Sequence, residues 1–143
     1  MQLVRSDPEK RLEWLSAATQ FAGTVLFNVS TGSAVWAQAV TAERRFVWAP
    51  DATGSVAFLV SGVLALSAVG WFAAGSRDGL AAWINMVGCI AFGASALGAF
   101  VRPSGATADA VLANLGTFVG ALCFLTAALM LLPRKATYQL PGR

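Results

Sequence analysis

The sequence contains no histidine, and only 12% of its 143 residues are charged. Without imidazole there is no ordinary base poised near neutral pH and no histidine ligand for haem or zinc. Cysteine is nearly as scarce: Cys89 and Cys123 are the only two, and both lie in apolar runs. That argues against a disulfide scaffold and suits small buried fillers. No cluster of metal ligands, no phosphate-binding glycine loop and no nucleophile flanked by a base occurs. The sequence therefore points to no catalytic residue, no metal and no cofactor, hence to a protein that is not an enzyme. Net charge is only +3, from ten scattered basic and seven acidic residues, so no nucleic-acid partner is expected. Disorder is excluded by the 57% of residues that are apolar.

What charge there is divides the chain. No Asp, Glu, Lys or Arg occurs from Trp14 to Ala42, Ala52 to Ser76, Gly79 to Val101, or Ala110 to Pro133. Each stretch exceeds the roughly 18–20 residues that cross a hydrocarbon core of about 30 Å. The expectation is an all-α integral membrane four-helix bundle, with spans near 14–36, 54–75, 80–101 and 111–132. These form one domain, 14–132, between an N-terminal tail, 1–13, and a C-terminal tail, 133–143. Pro8, Pro50, Pro103, Pro133 and Pro141 fall at or outside the rims. Pro50-Asp51 and Asp109 suit helix starts, where a carboxylate caps free N–H groups. Trp14, Trp36, Trp48, Trp71 and Trp83 all lie near span ends, the depth that indole prefers.

Orientation follows the positive-inside rule. Arg5, Lys10, Arg11, Arg77, Arg134, Lys135 and Arg143 would share one side, against Arg44, Arg45 and Arg102 on the other. Both termini are expected in the cytoplasm of a multi-pass cell-membrane protein. A rival reading makes the first span a signal peptide cut after Ala37-Gln38-Ala39. The polar Gln20 and Asn28 within that span count against it.

The spans repeat one another. Around Gly23, Gly54, Gly88 and Gly120, spaced by 31, 34 and 32 residues, each carries a polar residue at −3, phenylalanine at +4 and a small residue at +7. The polar members are Gln20, Asp51, Asn85 and Thr117; the aromatic ones are Phe27, Phe58, Phe92 and Phe124. These offsets share one helix face. Glycine lets backbones approach in lipid, and phenylalanine from a neighbour fills the space, so the stripe is expected to face inward as a packing code. Gly116 and Gly120 add a close-packing pair one turn apart. The unit of repetition is a single helix with its loop.

Such pieces, Gly54-Ser55-Val56-Ala57-Phe58-Leu59-Val60-Ser61 and Asn114-Leu115-Gly116-Thr117-Phe118-Val119-Gly120-Ala121-Leu122-Cys123-Phe124, resemble the YrhK-like domain of bacterial membrane proteins. The resemblance covers most of residues 14–132. It implies a small helical protein of the bacterial inner membrane and carries over no activity and no site residue.

Function is expected to be structural or accessory, through helix contacts with the bilayer, with a second copy or with a larger membrane complex. The alternative is a small transporter or channel component. An ionisable group at mid-span would favour that alternative, and the spans offer neutral Gln20, Asn28, Asn85 and Thr117 instead. Gln20 and Asn85 stand at equivalent depth and are a candidate pair. Asn28, off the stripe, is expected to bond to another helix. Residues 37–53, with Arg44, Arg45, Phe46 and Trp48, are expected to form an interfacial or partner-docking loop. A sealed, dry bundle separates the accessory reading from a transport path, which needs polar residues of several helices around a wet cavity.

Overall fold

The computed structural model describes residues 7–133. The two outermost segments, with Arg5, Arg134, Lys135, Pro141 and Arg143, lie outside the described residues. Among the described residues there are four long helices: α1 (Pro8–Ser33), α2 (Val40–Val69), α3 (Arg77–Gly98) and α4 (Ala110–Leu131). The architecture is all-α, as the charge-free stretches predict.

Short polar residues start α1, α3 and α4. The Asp7 carboxylate accepts from Glu9 N at 3.3 Å, with Pro8 in the first turn. Ser76 Oγ accepts from Gly79 N at 3.0 Å, and Asp109 Oδ1 accepts from Leu112 N at 2.9 Å. Each oxygen satisfies an N–H that the helix leaves free. Gly70, with φ +93°, closes α2 in a conformation that L side chains rarely adopt.

Helix α2 corrects the expectation drawn from Pro50-Asp51. It starts ten residues earlier, at Val40, and runs through the proline. Proline has no N–H to donate, and its ring crowds the carbonyl four residues back. Immediately before it, Glu43–Trp48 widen into π-helix. That wider turn accommodates the missing bond without ending the helix. Asp51 is consequently no cap: it lies within a continuous helix and is 9% exposed.

Among the described residues three helices, α2, α3 and α4, are long and apolar enough to cross a membrane. Helix α1 has the length, at 26 residues, but carries Gln20, Thr24, Asn28 and Thr31. Phe58, Leu66, Met86 and Phe92 are buried in the core. Ser16, Ser30, Ser55, Ser61 and Ser95 are buried, whereas Val60, Ile90, Leu97, Leu115, Phe118 and Leu125 face outward. Small residues inside and large aliphatic ones outside are the pattern of a helical membrane protein.

Chain order sets the packing. Helix α1 pairs with α2 and α3 with α4, and the two hairpins join through α2 and α3. The α1–α4 side has no comparable packing. One end of the bundle, here the near end, holds the start of α1, the 70–76 connection and the end of α4. The far end holds residues 34–39 and the turn at 99–109, where Val101 bridges Thr107.

Candidate functional site

At mid-depth four phenylalanines meet. The rings of Phe58, Phe92 and Phe124 lie 5.1 Å apart centre to centre, and Phe27 stands edge-on to Phe92 at 5.3 Å. The repeat glycines make room for them. A Cβ on Gly23 would come within 2.7 Å of the Phe58 ring, on Gly88 within 2.7 Å of Phe124, and on Gly120 within 2.6 Å of Phe92. Gly54 instead meets the carbonyl of Gly23 and the Leu26 side chain. Gly116 lies against the Ala91 carbonyl and Ser95. Each of these glycines is therefore a point where one helix backbone touches a neighbour. Gly62, against Met86 and Cys89, and Gly98, against the first turn of α4, do the same outside the repeated stripe.

Below the rings, toward the near end, lies a cavity of about 570 Å³ that all four helices line. Helix α1 contributes Glu13, Ser16 and Gln20, and α3 contributes Asp78, Ala81 and Asn85. Small and aliphatic residues of α2 and α4, with Phe124 at the base, complete the wall. Ser16 and Ser61 knit α1 to α2 beside it. Ser16 Oγ donates to Ser61 O at 3.0 Å, and Ser61 Oγ donates to Ser16 O at 2.8 Å.

Gln20 and Asn85 both line this cavity, as their equivalent depth suggests, but they do not bond to each other. Asn85 Nδ2 donates to Cys89 Sγ at 3.7 Å, within the same helix. Gln20 Oε1 is buried and has no hydrogen-bond partner among the described residues. Leaving such an oxygen unpaired costs about 1–3 kcal/mol. The other two members of the polar position point elsewhere. Thr117 Oγ1 lies 2.7 Å from Ser95 Oγ and ties α4 to α3 on the far side of the rings. Asp51 is on that far side too, one turn inside Trp48.

Asn28 departs from expectation. It is exposed, and its amide donates to Thr24 O of its own helix at 2.8 Å. Thr24 and Thr31 likewise donate to carbonyls four residues back. A short polar side chain can satisfy itself this way, so no second helix is required.

The far end is tied shut. Of residues 37–53, expected as a loop, 40–53 are instead the first turns of α2, and Arg44 ties them to the 99–109 turn. Arg44 Nε donates to Val101 O at 2.7 Å, and its guanidinium lies 5.3 Å from the Phe100 ring centre. Trp48 Nε1 donates to Ala96 O at 2.9 Å. A smaller cavity of about 360 Å³ remains there, walled largely by alanine with Glu43, Thr107 and Asn114. The tryptophans divide between the two ends. Trp36 and Trp48 are at the far end; Trp14, Trp71 and Trp83 are at the near end, where Trp83 Nε1 donates to Trp71 O at 3.1 Å.

Sequence reasoning missed Glu13 and Asp78 as a pair, although both stand ten residues before a repeat glycine. It also missed the Ser16–Ser61 exchange, since serine in an apolar run carries no mark of its partner. No group of three or more His, Cys, Asp or Glu that could hold a metal occurs among the described residues. No family model, no curated protein and no solved structure matches the chain.

Proposed function

We propose that the chain is a non-enzymatic, multi-pass protein of the cell membrane. It works as a sealed helical scaffold, through contacts with itself or with a larger membrane complex, rather than as a conduit. The observation that carries this reading is the cluster of Phe27, Phe58, Phe92 and Phe124 at mid-depth. It stands between the near-end cavity and the far-side polar residues Asp51 and Thr117. A transport path needs polar groups continuous from one face to the other.

Four spans are proposed, α1 included. Its exposed polar side chains bond to their own backbone, which lowers the cost of meeting lipid. Both termini are placed in the cytoplasm. Among the described residues the basic side chains balance: Lys10, Arg11 and Arg77 at the near end, Arg44, Arg45 and Arg102 at the far end. The excess comes from Arg5, Arg134, Lys135 and Arg143. Reporter fusions at residue 143 and within 104–108 should therefore report opposite sides. Membership of the YrhK-like family of the bacterial inner membrane is proposed on the sequence motifs alone.

The test is flux. Purified protein in liposomes should carry no proton-coupled flux under a pH gradient, and Asp51→Asn should change nothing. A pH-driven flux abolished by that single substitution would make the protein a small transporter.

A further inference from the structure

We propose that the near-end cavity is a binding site for amphipathic organic cations: a protonated amine carrying an apolar body. The walls that α1 and α3 present are equivalent. Glu13 and Asp78 stand ten residues before Gly23 and Gly88, and Gln20 and Asn85 stand three residues before them. At 1.5 Å rise per residue the amides lie about 10 Å deeper than the carboxylates. The cavity thus has an acidic mouth and a neutral, hydrogen-bonding tier beneath it. Alanines and Leu131 form an apolar side wall, and Phe124 forms the base.

Each tier selects one feature of the ligand. The lining includes two acids and no base. Among the described residues, Arg77 donates to Leu132 O at 2.9 Å, and Lys10 and Arg11 lie beside Trp14 and Leu15 outside this lining. The two carboxylates favour a cation over an anion within the lining itself. Deeper in, Gln20 Oε1 lacks a donor. The terminal torsion of glutamine is broad, so this oxygen can turn to accept from an incoming N–H. Asn85, whose nitrogen meets only a thiol, keeps an oxygen for the same purpose. A primary ammonium seated at this tier donates to the amide oxygens, while the two carboxylates about 10 Å above attract its charge through space. The apolar body then lies against the alanines, on the α1–α4 side where the helices are least closely packed. A volume of about 570 Å³ falls within the range of about 300–1,000 Å³ common for small-molecule sites.

The site is independent of the sealed-bundle reading: it binds without conducting, and loss of binding would leave the seal intact. The test uses the full chain in lipid nanodiscs, with empty nanodiscs as the partition control. Four probes of equal chain length are compared by equilibrium dialysis: decylammonium, decyltrimethylammonium, decanol and decanoate. Saturable, one-to-one binding of decylammonium is expected. The quaternary ion, which has no N–H, should bind about tenfold more weakly, in line with loss of charge-assisted hydrogen bonds. Decanol and decanoate should show only partition. Gln20→Leu should abolish the preference for the primary amine. Glu13→Gln with Asp78→Asn should weaken both cations by about tenfold, through loss of charge attraction. Unchanged elution and helicity of the variants establish that they fold. Absence of saturable binding, equal binding of all four probes, or indifference to these substitutions would overturn the proposal.

Discussion

The repeated polar position has different surroundings on the two sides of the phenylalanine cluster. At the far end polar side chains find protein partners: Arg44 on Val101 O, Trp48 on Ala96 O, Thr117 beside Ser95. At the near end Gln20 and Asn85 occupy the equivalent helix positions and are left facing a cavity. The phenylalanine cluster separates the two. A repeated packing stripe does not dictate one environment throughout. The same polar position becomes glue on α4 and cavity wall on α1 and α3, according to what stands opposite.

Substitutions at the seam between the ends should have the largest effect. Gly120→Leu places a side chain where even a Cβ meets the Phe92 ring at 2.6 Å. Overpacking of this kind costs about 1–3 kcal/mol, measured by helicity during unfolding in mixed detergent. Gly32→Leu, where nothing lies within 4 Å, is the control and should unfold like the parent. Equal loss at both positions would mean that the stripe does not set the packing.

At the far end, Arg44→Leu removes the bond to Val101 O and the contact with Phe100. A loss of about 1–2 kcal/mol is expected in the same unfolding measurement. At the near end the sign reverses. Gln20→Leu removes a buried oxygen without a partner and should raise stability, by up to about 1 kcal/mol. Destabilisation there instead would show that Gln20 is part of the glue, and the contrast between the ends would fail. The smallest effect belongs to the outside of α1. Asn28→Ala deletes a bond within one helix turn, and a change within about 0.5 kcal/mol is expected. A large loss, or a change of oligomeric state in gentle detergent, would reveal a partner on that face.

Much of this contrast was legible in the sequence, for physical reasons. Glycine and phenylalanine at offsets 0 and +4 identify contact points because backbone approach and ring volume are properties of the residues themselves. The tryptophans mark the ends because indole carries its own depth preference. What depends on the opposing helix was not legible. Gln20 and Asn85 share a depth, but the spacing of α1 from α3 decides whether they touch. Pro50 reads as a helix start unless the π turn before it is known, and that turn has no residue signature in Glu43–Trp48. Asn28 looks needy in isolation, because its donor reaches Thr24 O only once the helix is built.

The most direct measurement is sided access to Gln20. In a chain with Cys89→Ala and Cys123→Ala, a Gln20→Cys thiol should react with a membrane-impermeant cationic methanethiosulfonate. The reagent is added to one face at a time of sealed vesicles of uniform orientation. Modification from the face bearing the near end, and none from the opposite face, is the predicted result. Modification from the far face at a comparable rate would mean that the phenylalanine cluster does not seal the bundle.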